Sequence, residues 1–291
     1  MRVLIGYDGS ESADQAVTLA AGLAWPAGTE CRIVTACGPV LATYQPGMFV
    51  DAATLQSIYD AQQQDAERLA LAASERIDRP DLSVATEVVF GRPATSILDV
   101  ADRLAPDLLV VGSRGLGPLT SALLGSVSEE LVDHAPCPVL VARGTGLRQV
   151  VLANDGSPDA LAASTLLLRW PMFHGCEVRV VSVAAHPDLH TTTSQPVGTA
   201  VQRLAQEAQA TADEIARTTA DRLRRAGLDA VTAVRRGDPA VEILAAAGDW
   251  PADLIVIGTR GKTGLTRLLH GSVARKVLEH ARCSVLVERN R

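Results

Sequence analysis

Short apolar runs recur along the chain, separated by longer stretches in which apolar positions return every three or four residues. In the first half the runs are Arg2–Tyr7, Cys31–Ala36, Ser83–Phe90, a fourth ending at Val110-Val111-Gly112, and Pro138–Val141. Runs so rich in Val, Ile and Leu read as strands buried on both faces, as in a parallel sheet. Between the first two, Ala16, Val17, Ala20 and Leu23 mark the buried face of a helix, and a long polar-faced helix spans roughly Thr54–Ile77. The second half repeats the succession, with strands at Val178–Val183, Ala230–Arg235 and Ser284–Val287. Its helices bury Leu161, Thr165 and Leu168, and run over roughly Thr199–Ala226. Each half thus reads β-α-β-α-β-α-β-α-β, an α/β fold of two tandem, doubly wound, five-stranded parallel sheets. Gly144-Thr145-Gly146 is the linker, giving domains 1–144 and 147–291.

Composition changes this picture little. At 47% hydrophobic but only 3% aromatic, the cores must be built from Ala, Val, Leu and Ile. No apolar run reaches the roughly 18 residues of a membrane helix, so no span is expected. A net charge of −6 argues against nucleic acid as the main partner. The first 146 residues carry 9 basic and 18 acidic side chains, the remainder 18 and 15. That asymmetry reads as drift between two surfaces or as complementary docking of the halves. Five cysteines without a Cys-x-x-Cys pair, behind no apolar leader, suggest a reduced, cytoplasmic setting and buried thiols. Cys31 and Cys176 take equivalent repeat positions in this reading, as do Cys137 and Cys283.

The candidate chemistry lies where strands end. Gly112-Ser113-Arg114-Gly115, nine residues, then Gly125-Ser126-Val127 recurs as Gly258-Thr259-Arg260-Gly261, nine residues, then Gly271-Ser272-Val273. The glycines permit a tight turn and close ligand approach, and a helix opening at the second Gly offers free N–H groups to phosphate. Helix capping without a ligand is the plainer reading, and two intact copies weigh against it. Strand one ends at Asp8-Gly9-Ser10 and its repeat at Asp155-Gly156-Ser157. Those aspartates are placed either to touch a ligand beyond the strand ends or simply to form the turn before a helix. The irregular stretches from Gly38 to Phe49 and Ala184 to Gly198 read as lids or partner surfaces.

Two look-alikes fail. Gly261-Lys262-Thr263 ends like a phosphate-binding P-loop, but its leading glycine would have to be residue 256, which is Val. Gly115-x-Gly117 continues to Thr120, so the dinucleotide fingerprint is incomplete. The six histidines show no metal-ligand spacing, and no metal site in the protein itself is expected.

With these paired motifs the chain resembles the universal stress protein family in its tandem-domain, ATP-binding form, from Arg2 to Val141 and from Val150 to Val287. The resemblance implies an adenine nucleotide alpha hydrolase-like (HUP-like) fold. It also implies a pseudo-dimer of the halves, their last strands Val139–Val141 and Val285–Val287 pairing antiparallel. It implies ATP with its adenine near strands one and two, Asp8 and Asp155 at the adenosine end, and Ala36 and Val183 lining the base pocket. Gly112, Arg114, Gly115, Gly125, Ser126 and Val127 would hold ribose and phosphates in the first half, and Gly258, Arg260, Gly261, Gly271, Ser272 and Val273 in the second. Ser128 reads as a further phosphate donor that Ala274 lacks. Lys262 and Arg267 add cations to the second cradle, which should then bind triphosphate more tightly. Mg²⁺ is expected among the phosphate oxygens. The cradles contain no carboxylate to serve as base or metal ligand. The reading is therefore a nucleotide-dependent regulator or sensor in stress adaptation or dormancy, forming a homodimer and binding protein partners, with weak ATPase activity at most. The alternatives are a slow ATPase or phosphotransferase of the same fold, and an interaction module whose nucleotide is structural.

Overall fold

The first five strands are β1 (Arg2–Gly6), β2 (Thr29–Cys37), β3 (Leu82–Phe90), β4 (Leu108–Gly112) and β5 (Val139–Ala142). All pair in parallel in the order β3-β2-β1-β4-β5. The computed structural model describes residues 1–38, 51–77, 79–115, 124–184, 198–259 and 271–288, and the chain divides into two units, Met1–Gly146 and Leu147–Arg291. In the second unit β6 (Gln149–Ala153), β7 (Glu177–Ala184), β8 (Asp229–Arg236), β9 (Leu254–Gly258) and β10 (Ser284–Glu288) repeat the order as β8-β7-β6-β9-β10. In each unit the strand order reverses beside the first strand, between β1 and β4 and between β6 and β9. A reversal of this kind opens a crevice at the carboxyl ends of the two strands.

Eight α-helices and one 3-10 turn (Pro171–Phe173) complete the described residues: α1 (Glu11–Gly22), α2 (Ala52–Glu75), α3 (Pro93–Leu104), α4 (Ser126–His134), α5 (Pro158–Arg169), α6 (Gly198–Arg225), α7 (Pro239–Asp249) and α8 (Ser272–His280). Ser10 caps α1 by accepting from the Ala13 amide, and Ser157 caps α5 by accepting from Ala160, with Pro158 at the first helical position. Along α2 the buried residues are Ala66, Ala70 and Ala73, and along α6 they include Ala212, Ala216 and Ala220. Small side chains at helical spacing let these two long helices lie close against β2 and β3, and β7 and β8, while their charged faces meet solvent. No helix of the described residues is long and apolar enough to cross a membrane.

Two sequence expectations are corrected. The buried face of α5 is Ala160, Ala163, Ser164, Leu166 and Leu167, while Leu161 is 47% exposed. In a helix of mostly Ala and Leu, neighbouring faces are almost equally apolar, and contact with the sheet settles the phase. Register also separates two cysteines taken as equivalent: Val3 faces Cys31, but Val150 faces Val178, so Cys176 falls two residues before the matching place. Both Trp25 and Trp170 are buried, as their positions predict.

Candidate functional site

At the end of β1 the chain makes a turn held by one carboxylate. The Ser10 amide donates to Asp8 Oδ1 at 3.0 Å, and Gly9 takes φ 78°, a left-handed conformation suited to glycine. Ser10 then does two jobs: its hydroxyl caps α1, and it donates to the Arg114 carbonyl at 3.3 Å. The loop after β4 is thereby fastened to the turn after β1. A backbone bond from Gly125 N–H to the Ser113 carbonyl, 2.9 Å, draws the two ends of the intervening loop together.

Each glycine of the first cradle answers to a different neighbour. A Cβ on Gly112 would lie 2.5 Å from the Ser12 carbonyl carbon and 2.7 Å from the Ala13 nitrogen, so this glycine admits the first turn of α1. A Cβ on Gly115 would lie 2.7 Å from Asp8 Oδ2, so that glycine makes room for the carboxylate itself. The turn and ligand readings of Asp8 are thus compatible, since one oxygen serves the turn and the other points toward the cradle. Gly125 is the N-cap of α4 and supplies no side-chain cap, which leaves first-turn N–H groups available to an anion.

The second unit builds the same frame from other atoms. Ser157 N–H donates to Asp155 Oδ1 at 2.9 Å, Gly156 takes φ 79°, and Gly271 N–H donates to the Thr259 carbonyl at 2.7 Å. Here the cradle is fastened by the Thr259 hydroxyl, which donates to Asp159 Oδ2 at 2.6 Å in the interior. A Cβ on Gly258 would meet the Asp159 carbonyl carbon at 2.7 Å, the counterpart of the Gly112 contact. Gly271 caps α8 without a side chain.

Between these pieces lie two cavities, of about 520 Å³ in the first unit and about 390 Å³ in the second, both of ligand-binding size. Asp8, Ala36, Gly112, Arg114, Gly115, Gly125, Ser126, Val127 and Ser128 all line the first. Asp155, Val183, Gly258, Gly271, Ser272 and Val273 line the second. Arg260, Gly261, Lys262 and Arg267 lie outside the described residues, as do most of the two irregular stretches proposed as lids. One assignment changes: the Ser128 hydroxyl is buried and donates to the Gly112 carbonyl at 2.7 Å. Its proton is committed to bracing β4 against α4, so the alanine at 274 forfeits a strut rather than a phosphate donor.

Sequence reasoning missed the outer wall. Gln62, Asp65, Ala66 and Leu69 of α2 face the first cavity, and Ala208, Thr211, Ala212 and Ile215 of α6 the second. The alanine stripes of the two helices were the available signal, since they mark the faces that approach the strand ends. Tyr7 also lines the first cavity and donates its hydroxyl to Asp14 Oδ1 at 2.8 Å. Burial, and then that bond to Asp14, push its phenol above the usual range, so it remains a neutral donor. At the matching place Asn154 instead donates to Thr219 Oγ1 at 3.0 Å and accepts from Gly156.

Comparison with known proteins agrees with the doubled frame. A universal stress protein of Mycobacterium tuberculosis is 28% identical over 294 residues, covering 99% of this chain and 96% of that relative. A single-domain-length universal stress protein of Thermus aquaticus is 38% identical over 141 residues, 48% of this chain and 97% of that relative. The crystal structure of a universal stress protein from Archaeoglobus fulgidus shares the fold, with a TM-score of 0.68 at 18% identity over 99% of this chain and 98% of that one. The model of the universal stress protein family matches residues 1–143 and again residues 146–289. The chain therefore belongs to the universal stress protein family and carries its domain twice in tandem.

Proposed function

We propose that each unit binds one ATP and that the protein is a nucleotide-dependent regulator in stress adaptation or dormancy, acting in the cytoplasm with slow or no hydrolysis. One observation carries this reading: the same cavity is built twice, each between an Asp-Gly-Ser turn and a helix N-terminus capped by glycine. Backbone N–H groups of the cradle and α4 or α8 take the phosphates. Asp8 and Asp155 would repel phosphate, so their carboxylates accept from the ribose hydroxyls, while Ala36 and Val183 pack against the base. Mg²⁺ would enter with the triphosphate and offset part of its charge. The nucleotide, when bound, supplies the polyanion that neutralises both helix ends.

Among the described lining residues the carboxylates are Asp8 and Asp65 in the first cavity and Asp155 in the second. Efficient phosphoryl transfer needs a positioned base and metal-holding groups around the phosphates. This sparse set favours binding over turnover. Calorimetric titration of nucleotide-stripped protein should count two ATP per chain; fewer than two would overturn the proposal. Steady turnover well above that of a variant blocked at both Gly115 and Gly261 would replace a regulator with an ATPase.

A further inference from the structure

Thr35 on β2 is only 4% exposed, and its hydroxyl has no hydrogen-bond partner among the described residues. Gln62 on α2 lines the same cavity, and its side-chain oxygen is likewise buried without a partner. Stranding polar atoms in this way is costly unless a ligand completes them. Thr35 precedes Ala36 on β2, and the Gln62 main-chain carbonyl accepts from the Cys37 thiol at 3.6 Å, so both residues belong to the β2–α2 side of the cavity. The second cavity keeps the hydroxyl and lacks the carboxamide. Thr35 pairs in register with Val88 and Ser182 with Val234, which makes Ser182 the counterpart of Thr35. Ala208 precedes the buried Ala212 by the same four residues that separate Gln62 from the buried Ala66, so an alanine methyl replaces the carboxamide. Ala184 likewise replaces Cys37. Ser182 is itself 2% exposed and lines the second cavity, so the hydroxyl is kept there and only the carboxamide is lost.

We infer that the first cavity reads the amino group of its nucleotide's base through Gln62, with Thr35 at the neighbouring ring nitrogen, while the second keeps only the hydroxyl, on Ser182, and does not read the amino group. This deepens the nucleotide-binding reading above and rests on it. The carboxamide oxygen accepts from the amino group, and the threonine hydroxyl donates to the neighbouring ring nitrogen. A base without the amino group leaves the carboxamide desolvated and unpaired, and that penalty is the source of discrimination. An alanine wall imposes no such penalty.

The test is titration of the nucleotide-stripped full chain with ATP and with purine riboside 5′-triphosphate, which lacks the amino group. At one of two sites the analogue should bind about tenfold more weakly than ATP, and at the other equally well. Gln62→Leu removes both the acceptor and the penalty, so it should abolish the tenfold difference and bring ATP and the analogue to within about twofold of each other at that site. The wild-type comparison requires no variant to fold. Equal affinities for the two ligands at both sites, or discrimination at both, would overturn the inference while leaving nucleotide binding intact. Absence of ATP binding altogether would remove the nucleotide reading and this inference with it.

Discussion

Gly112→Ala separates two explanations of one glycine. If the residue exists to let phosphate approach, alanine should impair binding and leave folding alone. The geometry says otherwise. The new Cβ would sit 2.5 Å from the Ser12 carbonyl carbon, whereas ordinary contact begins at 3.4 Å, so β4 and the start of α1 must part by about 0.9 Å. Backbone at a helix N-terminus cannot yield as a flexible side chain can. Overpacking of this kind costs about 2–3 kcal/mol. The unit is about 146 residues long, so the loss corresponds to a fall in Tm of roughly 4–10 °C. Urea unfolding of nucleotide-free protein should show a lower midpoint at unchanged slope, and bound nucleotide must be removed because it would mask the loss. Hydrogen exchange should place the damage in α1 and β4. Gly144→Ala is the control, since nothing lies within 4 Å of its Cβ, and it should change stability by no more than about 0.5 kcal/mol. A Gly112→Ala protein that unfolds like the wild type but no longer binds nucleotide would refute the packing argument.

Three further outcomes follow from named contacts. Ser128→Ala removes the bond to the Gly112 carbonyl and should cost about 1–2 kcal/mol in urea unfolding, with ATP affinity changed less than threefold; a larger affinity loss would restore Ser128 as a ligand contact. Thr259→Val keeps the shape but withdraws a donor from the buried Asp159 carboxylate, for an expected loss of about 1.5–3 kcal/mol; an unchanged unfolding midpoint would contradict the fastening role. Burial pushes the Cys31 and Cys176 thiols from 9.0 up to about 11, Arg79 opposing at Cys31 and Asp253 assisting at Cys176. The folded state holds these protons more tightly, so stability is full below about pH 9 and falls as pH rises toward 11. The fall should be about 1.4 kcal/mol per thiol between about pH 8 and pH 10, and Cys31→Ala should roughly halve the pair's contribution; identical alkaline slopes for both proteins would disprove the assignment.

What the sequence determined by itself was local and repeated. Val-rich runs at strand length, a serine and proline at helix starts, and Asp-Gly turns are specified by residues close in the chain, and their recurrence at nearly constant spacing doubled the signal. The tight spacing of Gly112, Gly115 and Gly125 marked the cradle for the same reason. Only tertiary structure decided why each glycine is there: Gly112 answers to α1, a hundred residues earlier, and Gly115 to the Asp8 carboxylate. Periodicity could not choose the buried face of α5, because its Ala-Leu sequence is apolar around much of the helix and the sheet selects among nearly equal faces. Nor could it join Thr35 to Gln62. They share a cavity wall because α2 packs on β2 through its alanines, and a meeting between distant segments leaves no mark in the pattern of either one.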